Sequence, residues 1–312
     1  MTGPTSIRYI PRTDLDTGLW NACIEQAANG LVYAYTAYLD SMAPNWDALV
    51  LENKDTNSYQ AVMPLTWNKK YGISYMHQPF LAAQLGIFGN GLTQVMIEAF
   101  LKAIPAQFQY IDISLNHSNL FPVEGFPLYE RMNYVLDLRH PYDDLFANYR
   151  ENIRRNIRKS EQAGCKLRPN IPVEEVVELA WMQMRKITGE EAGNKDKFFR
   201  LFKTLAAEKK AVTYGISGPG DQLLASCVFF FSHKRAYYIL VGNHPNGKTL
   251  GASHALIDAF IRDHAGKDML LDFEGSDIRN LAFFYSSFGA KEEKYAALKL
   301  NRLPFYLKWM KK

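Results

Sequence analysis

Two distant segments of the chain share one pattern of apolar and polar positions. Ala61–Met76 and Ala225–Leu240 each contain an apolar run, a polar turn with a lysine (Lys70 or Lys234) and a second run rich in aromatic residues. Apolar runs on both sides of a short polar turn are typical of a β-hairpin. The pattern therefore predicts one hairpin in each half of the chain.

The segments that follow the two hairpins also correspond. Ile97–Lys102 (IEAFLK) matches Ile257–Arg262 (IDAFIR), and both have the apolar spacing of a helix. Further on, the strand-like sequences YIDISL and LLDFEG place Asp112 and Asp272 at the same position. Both correspondences have an offset of 160 residues. A shared offset over consecutive elements indicates an internal duplication into two modules of about 140 to 150 residues.

Each module is predicted to contain a strand, one or two helices, the hairpin, a helix and two further strands. This order indicates an α/β (α+β) fold with a mixed sheet and helices on both faces. The helices predicted before the hairpins are Leu15–Ala28, Tyr35–Met42, Val173–Ile187 and Asp196–Lys209. We place the first module at residues 1–141, a basic helical linker at 142–164 and the second module at 165–312.

Charge is unevenly distributed and distinguishes the linker. Residues 1–149 hold 8 Lys/Arg and 14 Asp/Glu. Residues 150–168 hold 7 Lys/Arg and 2 Asp/Glu, and residues 169–312 hold 21 Lys/Arg and 16 Asp/Glu. Asp143–Gln162 has good helix formers, an acidic start, basic residues towards its end and Gly164 as a stop, which predicts one continuous helix. A basic linker and a basic second module indicate that an anionic ligand binds to the second half.

The composition excludes several classes of protein. With 47% hydrophobic and 22% charged residues, the sequence is of an ordinary globular kind and is not disordered, collagenous or coiled-coil. Its apolar runs are far shorter than the roughly 20 residues that span a bilayer, so we expect a soluble cytoplasmic protein without membrane insertion. The three cysteines form no CxxC, and the seven histidines show no HxxxH or HExxH spacing. We therefore expect neither a disulfide framework nor a metal site.

One glycine-rich stretch, Gly242–Ile261, has the features of an anion-binding site. A strand is expected to end near Val241, followed by a loop and a helix that begins between Thr249 and Ala252. Small residues let backbone amides approach a ligand at a helix N-terminus, and a neighbouring lysine adds positive charge. The candidate cofactor-binding residues are Gly242, Asn243, Lys248, Thr249, Gly251, Ala252 and Ser253. The alternative is an ordinary glycine loop that leads into a helix.

Comparison of the two copies separates their roles. At the 160-residue offset, Gly91 corresponds to Gly251, whereas Phe88 stands in the place of Lys248. The glycine is present in both halves and the cation in one. We infer that the second module holds a phosphate-bearing cofactor and that the first module is degenerate and serves the acceptor.

The second module resembles the GCN5-related N-acetyltransferase (GNAT) superfamily in two motifs. Lys248-x-x-Gly251-x-Ser253 is similar to the basic-x-x-Gly-x-small loop with which that superfamily binds the pyrophosphate of coenzyme A. Tyr285, four residues before Gly289, is similar to a tyrosine that lies near the thiol. The resemblance implies acetyl-CoA or a longer acyl-CoA as the donor.

The tandem arrangement resembles one branch of this superfamily, the FemABX-like proteins. The similar sequences are NIRRNIRKSEQAG at Asn152–Gly164 and, in the second module, DFEGS followed by FFYSSFGA. The best-known members of this branch add amino acids to cell-wall precursors with aminoacyl-tRNA as the donor. The resemblance therefore implies two tandem GNAT-like modules and leaves aminoacyl-tRNA open as a donor.

Acyl transfer to an amine requires an acid for the leaving group and a base for the amine. Tyr285 is the candidate acid, and the alternative is a tyrosine packed on an apolar helix face. Glu274 is the candidate base or amine anchor. Asp272, a third candidate, is expected on the same strand face as Glu274, where two carboxylates could hold a cation or raise one another's pKa. Its alternative is a structural role, because Asp112 repeats it in the first module.

The linker offers a second contact surface. Arg150, Arg154 and Arg158 are spaced by four and form one stripe on the expected helix. Such a stripe could contact the phosphates of a tRNA acceptor arm. The alternative is a solvated helix, or one paired with the acidic first half.

The resemblance and these residues together predict an N-acyltransferase. It would move an acyl group from acyl-CoA to a small-molecule or peptide-like amine bound between the two modules. One alternative is an aminoacyl-tRNA-dependent transferase of FemABX type, acting on a cell-wall precursor or another peptide-like amine. A further alternative is a non-catalytic ligand-binding protein with the same fold.

Overall fold

The computed structural model describes residues 6–53, 55–188, 192–275 and 277–305. The strands are β1 (Ile7–Ile10), β2 (Asn45–Asn53), β3 (Ser58–Lys70), β4 (Ile73–His77), β5 (Phe88–Gly89), β6 (Phe108–Ser114), β7 (Leu128–Asp137), β8 (Lys166–Pro169), β9 (Ala211–Ser217), β10 (Leu223–Ser232), β11 (Arg235–Asn243), β12 (Leu270–Asp272) and β13 (Lys291–Asn301). The helices are α1 (Thr17–Gln26), α2 (Thr36–Met42), α3 (Gln94–Lys102), α4 (Tyr142–Ala147), α5 (Glu151–Gln162), α6 (Val173–Thr188), α7 (Ala192–Ala207), α8 (Pro245–Leu250), α9 (Ala252–His264) and α10 (Arg279–Ser286). The four helices predicted before the hairpins are present as α1, α2, α6 and α7.

The chain divides into two compact units. The first comprises Met1–Arg131 together with Lys294–Lys312, and the second comprises Met132–Glu293. These boundaries differ from the predicted ones, which end the first module at residue 141 and the linker at residue 164. The reason is that each unit is completed by the last strand of the other predicted module. β13 pairs with β6 in the first unit, and β7 pairs with β12 in the second.

The first unit contains the strand order β1-β2-β3-β4-β6-β13, with the short β5 paired to β3. β4 and β6 are parallel, whereas β1, β2 and β3 form antiparallel pairs. α3 packs on this sheet through Ile97, Phe100 and Leu101, which share a core with Leu49 and Met63. An amphipathic helix and the inner face of the sheet thus form the core of this unit.

The second unit contains the strand order β7-β12-β11-β10-β9-β8, in which β12 and β11 are parallel. Phe229 and Phe230 are consecutive on β10 and therefore point to opposite faces of the sheet. Phe229 stacks on Phe260 of α9 with ring centroids 3.6 Å apart, and Phe230 stacks on Phe198 of α7 at 5.9 Å. Helices cover both faces of this sheet, as predicted.

The two units repeat one local topology. β3 and β4 form a hairpin, α3 follows, and β6 then lies parallel to β4. β10, β11, α9 and β12 repeat this order. Asp112 pairs opposite His77 and Asp272 pairs opposite Tyr237, so the two aspartates occupy equivalent positions. The predicted fold class, an α/β protein with two tandem modules, is confirmed.

The predicted linker helix is interrupted. α4 and α5 are separated at Arg150, which is extended (φ −67°, ψ 154°) and donates its N–H to the carbonyl oxygen of Ser287. The prediction of one continuous helix over Asp143–Gln162 is therefore wrong. The predicted stop is confirmed, because Gly164 has φ +73° and lies two residues after the last residue of α5, Gln162.

Candidate functional site

Two parallel strands separate within the second unit. β11 and β12 pair as far as Tyr237 and Asp272. β12 then ends, and Phe273 donates its N–H to the carbonyl oxygen of Tyr134 on β7, whereas β11 continues to Asn243. β12 therefore leaves one edge of β11 unpaired beyond Tyr237. A strand edge presents backbone N–H and C=O groups that can form hydrogen bonds with another strand or a ligand.

A β-bulge lies directly after this separation. Val228 pairs with Leu240 and Phe229 pairs with Tyr238, so Ile239 is the extra residue on β11. A bulge bends its strand and changes the direction of the backbone groups beside it. The part of β11 that does not pair with β12 is therefore also bent.

The glycines of the predicted cofactor loop make close packing contacts. A Cβ at Gly242 would lie 2.7 Å from the backbone nitrogen of Ala180 on α6, and a Cβ at Gly251 would overlap the carbonyl oxygen of Asn156 on α5. Gly251 also has φ +75° between α8 and α9, the left-handed conformation that glycine adopts most readily. Backbone packing is sufficient to explain both glycines.

The segment predicted as a loop is largely strand and helix. Gly242 and Asn243 belong to β11, and Lys248 and Thr249 are exposed on α8. The predicted loop is therefore wrong, because α8 begins two residues after β11 ends. The predicted start of the next helix is confirmed, since α9 begins at Ala252.

The N-terminus of α9 is tied to the end of β11. The hydroxyl of Ser253 donates a hydrogen bond to Oδ1 of Asn243. Gly251 is the N-cap residue, and no side chain of the described structure caps α9. The first N–H groups of a helix have no acceptor within the helix, so the segment that starts at Ala252 presents the positive end of the helix dipole.

Tyr285 of α10 lies beside this part of β11. Its ring stacks on Phe273 at 4.6 Å between centroids, and Phe273 packs edge-on against Tyr238 of β11 at 6.1 Å. The phenol is 9% exposed and makes no hydrogen bond to another described residue. Burial, together with the charge of Glu274, raises the pKa of Tyr285, so the phenol stays protonated at neutral pH. Tyr285 is thus a packed residue that also carries an O–H donor.

His254, to which sequence reasoning gave no role, joins α9 to α10. Its ring packs edge-on against Phe284 at 5.0 Å between centroids. Burial lowers the pKa of His254 to about 4, so the imidazole is neutral at physiological pH. Its buried Nδ1 has no hydrogen-bond partner among the described residues. No spacing signal in the sequence distinguishes this histidine from the others.

Asp272 and Glu274 do not share a strand face. β12 ends at Asp272, and Glu274 has φ +62° and donates its N–H to Oδ1 of Asp272 at 2.8 Å. The chain turns directly after Asp272, so the predicted pair of carboxylates on one face is wrong. Glu274 remains close enough to Tyr285 for its charge to act on the phenol.

Asp272 is instead part of a buried ion-pair network. It is 2% exposed and accepts hydrogen bonds from Nη1 of Arg235 at 2.8 Å and Nδ2 of Asn133 at 3.0 Å. Arg235 also donates to Glu293 at 2.5 Å. Burial opposes the charge of the guanidinium, but the hydrogen bond to Glu293 and the charges of Asp272 and Glu293 raise the pKa of Arg235. These partners give Asp272 a structural role, and an arginine at the start of an apolar strand was the signal for it.

The three arginines predicted as one stripe have different surroundings. Arg150 precedes α5, and its guanidinium lies over the ring of Phe283 at 4.8 Å. Arg154 lies over the ring of Phe146 at 5.7 Å. Arg158 has a side chain that is 60% exposed. The single stripe is therefore wrong, because two of the three guanidinium groups pack on aromatic rings.

The corresponding region of the first unit is filled by its own chain. β4 ends at His77 and has no extension like that of β11. Oε1 of Gln78 accepts a hydrogen bond from the N–H of Ser114 at 3.0 Å, and the side chain of Asn116 donates to the carbonyl oxygen of Leu85 at 3.0 Å. Side-chain amides thus fix the segment that follows β4 against the end of β6.

Two further features concern metals and membranes. Across the described ranges, no group of three or more His, Cys, Asp or Glu side chains could hold a metal ion. Within the same ranges, no helix has both the length and the apolar character needed to cross a bilayer.

The environment of Cys23 disfavours thiol chemistry at this residue. Burial raises the pKa of the Cys23 thiol to about 12, which disfavours its reactive thiolate form.

Similarity to known proteins agrees with this geometry. Residues 147–277, which include α9 and β11, match the family model of the acetyltransferase (GNAT) domain. No curated protein sequence matches the chain significantly.

Solved structures with the same fold extend over nearly the whole chain. The crystal structure of FemX has a TM-score of 0.66 and 12% identity, covering 92% of this chain and 97% of that one. A conserved protein of unknown function from Bacteroides thetaiotaomicron VPI-5482 has a TM-score of 0.58 and 14% identity, with 93% and 100% covered. A tandem GNAT protein from the clavulanic acid biosynthesis pathway has a TM-score of 0.53 and 14% identity, with 96% and 99% covered. Residues 147–277 therefore match an acetyltransferase (GNAT) domain, and the chain as a whole has the fold of FemX and of the tandem GNAT protein.

Proposed function

We propose that the second unit transfers an acyl group from an acyl-CoA to an amine. The observation that carries this proposal is the uncovered edge of β11 beside Tyr285. An extended ligand with amide groups can hydrogen-bond to a strand edge as another strand would. This edge also lies inside the segment that matches the GNAT domain.

The start of α9 supports a donor that bears phosphate groups. A helix N-terminus attracts anions through its N–H groups and its dipole. α9 has no side-chain cap among the described residues, and Lys248 and Thr249 are exposed just before it. We assign phosphate contacts to these two side chains and to the backbone of Ala252 and Ser253. Gly242, Asn243 and Gly251 contribute by holding β11, α8 and α9 in place.

The remaining groups supply the acid and base chemistry of acyl transfer. Backbone N–H groups beside the bulge polarise the acyl carbonyl, and Tyr285 donates a hydrogen bond to the leaving sulfur. Glu274 accepts the proton that the attacking amine loses. A C–N bond forms, the C–S bond breaks, and the free thiol leaves with a proton that Tyr285 regains from solvent.

A second donor, aminoacyl-tRNA, has one observation in its favour. Arg155, Arg158 and Lys159 are exposed on α5, and Arg158 and Lys159 follow Arg155 by three and four residues, the spacing of neighbours on a helix surface. Exposed cations in such a group contact nucleic-acid phosphates. The likeness to FemX concerns the fold and does not choose between the donors.

Donor binding separates these alternatives. Thermal unfolding of the full chain is followed with acetyl-CoA, a longer acyl-CoA and aminoacyl-tRNA, since a ligand at 100 times its Kd stabilises by about 2.7 kcal/mol. We expect an acyl-CoA to raise the Tm, and thiol release from it to require a primary amine from a panel of acceptors. Stabilisation by aminoacyl-tRNA alone would replace this proposal by the FemABX-type reaction. Stabilisation by acyl-CoA without thiol release would favour a non-catalytic binding protein.

Salt dependence tests the tRNA alternative by itself. If the cations of α5 bind phosphates, Arg158→Ala should flatten the slope of log affinity against log salt by about one unit. Arg158 is preferred to Arg154, whose guanidinium packs on Phe146. Filter binding that detects no tRNA affinity at low salt would remove this alternative.

A further inference from the structure

A cavity of about 190 Å³ lies between α5 and α9 in the second unit. One wall is apolar and is formed by Ile157, Leu167 and Ile216. The other walls carry charged and polar side chains of the two helices. None of the residues assigned above to acyl transfer lines it.

Small side chains on α9 explain why the cavity is open. Ala255 and Ala259 are one turn apart and both line it. Nearer the start of α9, the backbone of Gly251 lies directly against Asn156 of α5. The two helices therefore touch at one end and leave space further along.

Three carboxylates line the cavity, and they are not equally compensated. Asp258 is 3% exposed, lies 3.3 Å from Nη2 of Arg262, and accepts a hydrogen bond from the hydroxyl of Tyr142 at 2.9 Å. Glu161 and Asp263 are exposed and form no salt bridge with any described residue, although Asp263 accepts a hydrogen bond from the hydroxyl of Tyr214 at 2.7 Å. Arg262 also lines the cavity, and three carboxylates against this one guanidinium leave an excess of negative charge, which favours a cation.

Ser160 supplies a second, independent sign of a ligand. It is 1% exposed and lines the cavity, and its Oγ has no hydrogen-bond partner among the described residues. A buried polar group without a partner is destabilising, so most such groups are hydrogen-bonded. A serine hydroxyl accepts hydrogen bonds, and a ligand with an N–H donor would satisfy it.

We propose that this cavity binds a small alkylammonium ion, a protonated primary amine on a short apolar chain. The ammonium group has three N–H donors for Ser160 and the carboxylates of Glu161 and Asp263. The alkyl chain packs on the apolar wall, which removes it from water. This site is independent of the proposed acyl transfer.

Cys165 gives a direct readout of occupancy. It lines the cavity and is partly exposed, whereas the other two free cysteines, Cys23 and Cys227, are buried. Alkylation of Cys165 by iodoacetamide in the full chain is timed with n-butylammonium, n-butanol or butyrate at equal ionic strength. We expect n-butylammonium to slow alkylation and the other two to leave the rate unchanged. Equal protection by n-butanol, or no protection by n-butylammonium, would overturn the proposal.

Variants then assign the protection to the cavity. Glu161→Gln and Asp263→Asn should each weaken n-butylammonium protection by about two- to fivefold, the range of an exposed ion pair. Ala259→Leu should fill the cavity and abolish protection. Glu174→Gln removes an exposed carboxylate of α6 and should match the parent. If Ala259→Leu does not fold, the two charge variants decide, and unchanged protection in both would refute the site.

Discussion

Phe273 stacks on Tyr285, with ring centroids 4.6 Å apart and ring planes inclined by 19°. Phe273 directly follows β12 and also contacts Tyr238 of β11. The stack therefore fixes α10 beside the point where the two strands separate. A phenylalanine at position 285 would keep this stack and lose only the hydroxyl group.

Tyr285→Phe separates the two roles of this side chain. The free energy of unfolding should change by no more than about 1 kcal/mol, because the hydroxyl makes no hydrogen bond to another described residue. The rate of thiol release should fall by about 10² to 10⁴, the usual cost of losing a positioned acid, with donor affinity unchanged. Tyr134→Phe is the matched control and should keep the parent rate. If Tyr285→Phe released thiol at the parent rate, Tyr285 would have a packing role and would not be the acid.

Lys248→Ala tests the proposed phosphate contact before α9. Acyl-CoA affinity, measured by calorimetry, should weaken by about 1 to 2 kcal/mol, since a charge-assisted hydrogen bond is lost. Lys203→Ala, which removes an exposed lysine of α7, should leave the affinity unchanged. Phe88→Ala is unsuitable as a control because Phe88 is fully buried, and truncating it would destabilise the first unit. Equal losses in the two lysine variants would contradict a specific contact.

Gly251→Ala tests whether close packing accounts for this glycine. Gly251 and Gly266 have similar φ angles, +75° and +80°. A Cβ at Gly251 would overlap Asn156, whereas a Cβ at Gly266 meets nothing within 4 Å. Gly266→Ala should therefore cost about 1 to 2 kcal/mol from backbone strain, and Gly251→Ala should cost clearly more. Urea denaturation that gives equal losses would show that packing against α5 contributes nothing.

His254 should make stability depend on pH. Its pKa is lowered by burial to about 4, below the ordinary value of about 6.5 that applies to the unfolded chain. Between these values the unfolded state binds the proton and the native state does not, so stability falls as the pH falls from 6.5 to 4. His254→Leu should reduce this fall, whereas His140→Leu, at an exposed histidine, should not. Urea denaturation at pH 7 and pH 4.5 measures the difference.

Arg235→Met tests the network around Asp272. Without the guanidinium, the buried carboxylate of Asp272 and the partly buried carboxylate of Glu293 lose their cation, which should cost about 3 to 5 kcal/mol of unfolding free energy. Arg8→Met removes an exposed partner of Glu52 and should cost less than about 1 kcal/mol. A small loss for Arg235→Met in chemical denaturation would show that this network adds little stability.

Local sequence patterns were sufficient for the repeated part of each unit. The hairpins, the helices α3 and α9, and the strands with Asp112 and Asp272 were predicted because each depends on the spacing of neighbouring residues. The start of α9 at Ala252 and the stop at Gly164 were predicted for the same reason. The resemblance in Lys248, Gly251, Ser253 and Tyr285 led to the GNAT domain, whose family model matches residues 147–277, and to the fold shared with FemX.

Contacts between distant residues decided the rest. β7 pairs with β12 of the second unit and β13 pairs with β6 of the first, so the unit boundaries differ from the predicted ones. The sequence pattern did not predict this, because strand pairing joins segments more than a hundred residues apart. Asp272 has a structural role because Arg235 forms an ion pair with it. Gly251 has a packing role because the backbone of Asn156 lies against it. The sequence by itself determined which elements form and in what order. Only the tertiary structure determined which side chains have packing or ion-pairing roles, because burial and charge pairing depend on residues that are distant in the sequence.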